Sequence, residues 1–226
     1  MRKVSIVLLV GFSLLLTACF GGGSSNTADQ FHVGTQGLAI SFIQNEPPSR
    51  IVIENNANPP PTANFGIQLS NLGAEDIKGG VLVYSGFDSN LVTWHKSDQI
   101  PSLQGKSFSN PQGSKEIVEN NGNIVVAQIG EVYRPAFEVT ACYNYQTNAQ
   151  IPICIDPDPT GKSPKPCSAQ GFSASGGQGA PLAVTAIEQN PSKGKTLFKI
   201  TIKNSGGGDV FQGDVNNCLP GGTGLT

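Results

Sequence analysis

Two stretches of this chain are versions of one another, and that repetition limits what it can fold into more than any other feature. Leu38-Ala-Ile-Ser-Phe-Ile-Gln-Asn45 recurs, with one inserted residue, as Leu182-Ala-Val-Thr-Ala-Ile-Glu-Gln-Asn190. Phe65-Gly-Ile-Gln-Leu-Ser-Asn-Leu-Gly-Ala-Glu-Asp-Ile77 recurs as Phe198-Lys-Ile-Thr-Ile-Lys-Asn-Ser-Gly-Gly-Gly-Asp-Val210. Phe, Ile, Asn, Gly and Asp keep the same offsets in the second pair, and Gly80 and Gly213 each follow the Asp by four residues. Matches in register at this density mark two homologous units.

The repeated unit is written in strand code. Phe65, Ile67 and Leu69 alternate toward one face while Gly66, Gln68 and Ser70 point to the other, which predicts a half-buried strand. Asn71 and Gly73 end it, since both tolerate positive φ and Asn bonds its own backbone. Further alternating or β-branched runs lie at Leu38 to Ile43, Ile51 to Glu54, Val81 to Tyr84, Ile124 to Ile129, Phe137 to Tyr145 and Ile151 to Ile155. Turn-formers separate them: Pro59-Pro-Pro61, Asn110-Pro111, Asn120-Asn-Gly-Asn123 and Asp156-Pro-Asp-Pro159. With no apolar stripe at helical spacing over three turns, the chain reads as all-β and as a sandwich. Its 28 Gly and 16 Pro among 226 residues also argue against a long-helix protein.

A strand followed by Asn-x-Gly and a second strand resembles the immunoglobulin-like, cell-adhesion-related repeats of bacterial and archaeal surface proteins. The resemblance covers about 20 residues of each unit; it implies an immunoglobulin-like β-sandwich followed by a second, incomplete homologous β-domain, in an extracellular setting. It carries over no functional residue. The first domain is expected over 33–156, a linker over 157–180, and the partial repeat over 181–226. Too few strands remain after Pro181 to close a seven-strand sandwich. Either the sequence stops inside the unit, as the loop-like ending Pro220 to Thr226 suggests, or the unit takes surface from the first domain or from a partner.

At the other end, Arg2 and Lys3 precede an apolar run from Val4 to Leu16, too short to span a bilayer as a helix. The run closes on Leu16-Thr17-Ala18-Cys19, which resembles the lipobox of prokaryotic lipoproteins, with cleavage before Cys19 and lipid on its sulfur. Residues 1–18 are then a signal peptide and residues 19–32, with Gly21-Gly-Gly-Ser-Ser25, a flexible tether. Removing residues 1–18 takes away two positive charges, leaving 12 basic against 16 acidic side chains. That balance excludes a nucleic-acid binder, which needs basic excess to neutralise phosphates.

Five Cys less Cys19 leaves Cys142, Cys154, Cys167 and Cys218, an even number that predicts two disulfides in an exported chain. The spacing favours Cys142–Cys154 across a hairpin centred on Asn148, pairing Tyr143 with Ile153 and Tyr145 with Ile151, and leaves Cys167–Cys218 to staple the second unit. Strand parity places Phe137, Val139, Ala141, Tyr143 and Tyr145 on the core face and Cys142 on the other. No Cys-x-x-Cys is present and neither His is near a Cys in sequence, so no metal site is expected.

Nothing points to catalysis: there is no Gly-x-Ser-x-Gly elbow, phosphate loop or zinc-protease motif. His32 and His95 read as surface or partly packed side chains, and Trp94 as a core aromatic. Asp156 and Asp158, with Thr160, lack the further oxygens of a calcium loop and read as a solvated linker, and Glu75, Asp76 and Asp209 in the repeat turns offer no more. The expectation is a non-catalytic protein without cofactor. It would be lipid-anchored through Cys19 outside the cytoplasm, a structural or adhesion module meeting an envelope protein or a glycan. Two alternatives are a subunit of a surface filament or envelope complex, whose incomplete domain accepts a neighbour's strand, and the N-terminal part of a longer surface enzyme.

Overall fold

The computed structural model describes residues 30–54, 59–125, 132–218 and 224–225. Cys19, the signal peptide and the tether before Gln30 lie outside them. The fold is all-β, built from several antiparallel sheets, with no α-helix among the described residues.

Among the described residues, seven strands make the first unit. They are β1 (Leu38–Phe42), β2 (Thr62–Asn71), β3 (Gly80–Ser85), β4 (Val92–Thr93), β5 (Ser97–Ile100), β6 (Lys115–Ile124) and β7 (Glu138–Tyr143). One sheet has the order β1-β2-β6-β4 and the other β5-β3-β7, all neighbours antiparallel. The two share one hydrophobic cluster, with Phe65, Ile67 and Leu69 from β2 and Leu82 and Tyr84 from β3 all buried. Val139, Ala141 and Tyr143 of β7 pack against it, which is the face that strand parity predicts. Trp94 lies at its centre, stacked between Phe65 (ring centroids 3.8 Å apart) and Tyr84 (4.3 Å), so its reading as a core residue holds. Burying each such side chain is worth about 1.5–3 kcal/mol, and stacked rings add to that.

Three local expectations are corrected. Ile51–Glu54 and Ile151–Ile155 are not strands. Asn120-Asn-Gly-Asn123 is not a turn but the end of β6, which pairs with β2 over nine residue pairs from Thr62↔Asn123 to Ser70↔Lys115. The ladder overrides the poor strand propensity of asparagine, and Gly122 leaves room for the Phe65 ring and Trp94. Nor does Gly73 serve positive φ, as neither it nor Asn71 has it. A Cβ there would strike the Tyr145 hydroxyl and lie 2.7 Å from the Gly179 carbonyl, so close approach is what requires glycine.

The second unit contains β8 (Phe172–Ser173), β9 (Leu182–Ser192) and β10 (Lys195–Asn204) in the order β10-β9-β8. β11 (Val210–Phe211) pairs with β12 (Gly224–Leu225), with a 3-10 turn at Val215–Cys218 between them. The repeat is reproduced in the pairing itself: Leu38 faces Asn71, and Leu182 faces Asn204. Both pairings run on in step until Ile40↔Leu69 and Val184↔Ile202, after which Thr201 faces Ala186 and Thr185 is left over as a bulge. The extra residue of the ladder thus falls inside the segment that is one residue longer in the sequence repeat, although the matched letters there align Thr185 with Ser41 and leave Glu188 over. Both turns match too: Asn71 Oδ1 accepts from Gly73 N (3.1 Å) and its Nδ2 donates to Glu75 O (2.8 Å), while Asn204 Oδ1 accepts from Gly206 N (3.2 Å) and its Nδ2 donates to Gly208 O (2.8 Å).

The two units differ in what covers them. Ile67 and Leu69 are 1% and 0% exposed; their counterparts Ile200 and Ile202 are 57% and 65% exposed. Among the described residues, the second unit has no equivalent of β6 beside β10 and no sheet facing it.

The stretch expected as a linker does more than connect. It holds β8, and its end is bonded into the first unit: Ala74 N donates to Gly179 O (2.8 Å), Gly179 N to Gly34 O (2.8 Å), and Thr147 Oγ1 to Leu182 O (2.8 Å). Ala180 and Ala183 are buried there. Tyr143 Oη accepts from Leu38 N (3.0 Å), and Tyr145 Oη accepts from Glu75 N (3.1 Å) while donating to Gly179 O (3.3 Å).

The unequal cover sets a test by paired substitution. Ile67→Ala should cost about 2–5 kcal/mol of stability by leaving a cavity, whereas Ile200→Ala should change it by no more than about 0.5 kcal/mol. Urea unfolding of the two variants beside the parent chain would measure both.

Candidate functional site

The densest group of chemistry-bearing side chains lies at the rim of the first unit and joins its two sheets. Tyr84 sits on β3, Asp98 on β5, His95 just before β5, and Asn120 on β6 of the opposite sheet. Asp98 is the hub. Its Oδ2 accepts from Tyr84 Oη (2.6 Å) and from Asn120 Nδ2 (2.6 Å), and its Oδ1 lies 2.8 Å from His95 Nε2, which also contacts Asn120 Nδ2. The ladder brings these groups together: β3 pairs with β5 so that Leu82 faces Asp98, and β2 pairs with β6 so that Phe65 faces Asn120.

The electrostatics make the network a lock. Burial pushes the Tyr84 phenol well above its ordinary range, and the hydrogen bond to the Asp98 carboxylate pushes it the same way. Tyr84 therefore stays a neutral donor to a carboxylate acceptor, a charge-assisted bond stronger than a neutral one. Tyr143 is raised by burial, and Tyr145, also mainly by burial, to about 12. Since these folded-state values lie above the ordinary phenol value of 10, the stability they carry is complete below pH ~10. It is lost as the pH climbs through the folded values.

Sequence reasoning singled out His95 of this group but missed Tyr84, Asp98 and Asn120 as its partners. The one local signal was a carboxylate three residues after the His; the long-range strand pairing that supplies the rest leaves no local trace.

The other singled-out residues are placed as follows. His32 lies 3.7 Å from Glu75. Asp76 Oδ1 accepts from Gly105 N (2.8 Å), and Asp209 is exposed. Asp156 accepts from Lys165 Nζ, which holds its carboxyl below the ordinary range, and Lys165 also donates to the Asp158 carbonyl (2.6 Å). Thr160 Oγ1 donates to Asp158 Oδ1 (3.1 Å). A lysine ammonium thus stands where a bound cation would. Among the described residues no three His, Cys, Asp or Glu side chains gather as metal ligands.

The four described cysteines are all paired, but not as the spacing suggested. Cys142 bonds Cys218 and Cys154 bonds Cys167, with Cα atoms 5.9 Å and 6.0 Å apart. The expected hairpin does not form: β7 pairs with β3, Val81 opposite Cys142, and residues 144–171 hold no strand to pair with its other side. Cys142 does point away from the core, as parity requires, yet it is buried, and the 3-10 turn carrying Cys218 packs on β7.

Two hollows accompany these features. An apolar slot of ≈ 180 Å³ opens between β1 and β7, lined by Ile40, Phe42, Ile67 and Val139. A more polar cleft of ≈ 450 Å³ lies beside Lys78, Gln99 and Asn144.

No family model matches the chain, and no curated protein or solved structure matches it.

Asp98→Ala strands the Tyr84 hydroxyl and the Asn120 amide without their acceptor, and should cost about 1–3 kcal/mol in urea unfolding. Non-reducing peptide mapping should return the 142–218 and 154–167 linkages. In the chain-entropy model the first closes the longer loop, so losing it by Cys142→Ala with Cys218→Ala should cost about 4–5 kcal/mol, against about 3 for the second pair.

Proposed function

We propose that this protein is a lipid-anchored, non-catalytic structural or binding module of a prokaryotic cell envelope. In this reading an immunoglobulin-like sandwich is followed by a partial second copy and held outside the cytoplasm by lipid on Cys19. The observation that carries it is the double occurrence of one strand-turn unit, down to the hydrogen bonds of Asn71 and Asn204. Repeated β-units of this kind serve as spacers and contact surfaces. The two disulfides support an oxidising setting outside the cytoplasm. A non-catalytic role is supported by the use of Asp98, Asn120 and Tyr84 as an inter-sheet lock, and of Asp156 as a partner for Lys165.

A second reading, a subunit or accessory of a surface filament or envelope complex, is favoured by the open side of the second unit. The exposed Ile200 and Ile202 and the side of β10 that no described strand pairs with are features that a neighbour would cover.

Anchoring is tested by expressing the full chain in a bacterial host with a clickable palmitate analogue. The parent chain should take up label and sediment with membranes, while Cys19→Ala should do neither. An unlabelled parent, or a labelled variant, would overturn the lipoprotein reading.

A further inference from the structure

β10 is an edge strand whose twin is not. In the first unit β2 is paired on both sides, with β1 on one and β6 on the other. In the second unit β9 takes the place of β1, and nothing among the described residues takes the place of β6. The outer side of β10, from Lys195 to Asn204, therefore offers a row of backbone donors and acceptors in a strand already held extended by β9, with one register shift at Thr201/Ile202. That is the template on which an extended segment adds.

Charge says what kind of segment. Lys195, Lys199 and Lys203 recur every fourth residue on one face of β10. On that face of the sheet the only carboxylate is Glu188, which faces Lys199 at 3.2 Å with both side chains exposed. The opposite face carries Phe198, Ile200 and Ile202 and no charge. A strand laid antiparallel beside β10 shares both faces residue for residue. Carboxylates every fourth residue would meet the lysines, and β-branched side chains at the intervening positions would extend the apolar face. A second copy meets the edge less well in the register centred on the lysines, and its pairing is an outcome the test reads. Two β10 strands related by a two-fold axis through Lys199 would set Lys199 against Lys199 and Lys195 against Lys203, the like-charge opposition by which edge lysines block self-pairing.

We infer that the free edge of β10 accepts an extended acidic segment of another protein, one alternating β-branched residues with carboxylates, in the position that β6 holds beside β2. The inference rests on the reading of this chain as a binding module and specifies the partner's chemistry.

The test uses the mature chain and three synthetic peptides followed by fluorescence anisotropy. One alternates valine with polar residues and carries glutamate at every fourth position; the second carries lysine in place of glutamate; the third is the first with N-methyl groups on alternate amides. The glutamate peptide should bind at least tenfold more tightly than the lysine peptide, and N-methylation along the side that meets β10 should abolish binding. In the double variant Lys199→Glu, Lys203→Glu the preference should invert. Both positions are exposed, and should that variant misfold, the three-peptide comparison on the parent chain decides alone. Equal binding of both charges, no binding, unimpaired binding of the methylated peptide, or a stable homodimer with β10 covered would each overturn the inference. Lipid labelling at Cys19 is independent of all these outcomes, so a labelled chain that binds no peptide removes this inference and leaves the anchoring intact.

Discussion

Burying the face that Phe65, Ile67 and Leu69 share is worth about 1.5–3 kcal/mol per side chain, and the first unit is organised around covering that face. Sheet β5-β3-β7 does so with Leu82, Tyr84, Val139 and Ala141, and Trp94 fills the space between as a plate stacked on Phe65 and Tyr84. The polar network at the rim depends on this arrangement. Tyr84 reaches Asp98 with its hydroxyl because its ring is fixed against Trp94, and Asn120 reaches the same carboxylate because β6 is held in register by β2. Packing supplies the energy, and the hydrogen bonds fix how the two sheets sit on one another.

The turn after the strand links local to long-range structure. Asn71 is fully buried and satisfies its amide locally at Gly73 and Glu75 and distantly at the Leu103 carbonyl (3.1 Å). The distant bond belongs to a bridge between Ile77 and Leu103. The second unit repeats the local half in Asn204, and even the bridge has a counterpart, since Val210 corresponds to Ile77 and faces Leu225. After Gly213, however, the chain enters a 3-10 turn ending at Cys218, bonded to β7, where the first unit launches β3 from Gly80. The repeat thus diverges at the point where the cover sheet would begin.

What could be read from sequence was what short-range periodicity encodes. Alternation placed Phe65, Ile67 and Leu69 inward and set Cys142 apart from Val139 and Ala141. What could not be read was set by partners distant in the chain. Asn120 to Asn123 have turn propensity and become strand only because β2 offers a ladder. Cys142 bonds Cys218 and not Cys154 because Ile151–Ile155 forms no strand and the 3-10 turn carrying Cys218 packs on β7. Asp98 in Ser97–Ile100 carries no mark of the tyrosine and asparagine that meet it. In each case the partner decides the outcome, because strand order is a property of the whole chain.

The seam between the units bears on how the open side is presented. Segment 176–182 is tied to the first unit through Gly179, Leu182 and the Tyr145 hydroxyl, and Cys218 is tied to Cys142. A flexible linker would let the second unit reorient freely, and ordering it on binding would cost entropy. Bonds at both ends of the unit remove that freedom before any encounter, so the edge of β10 and the face of Ile200 and Ile202 stand in a fixed relation to the first unit. Preorganisation of this sort lets a short added strand bind with less loss of freedom than the same contacts on a mobile element would require.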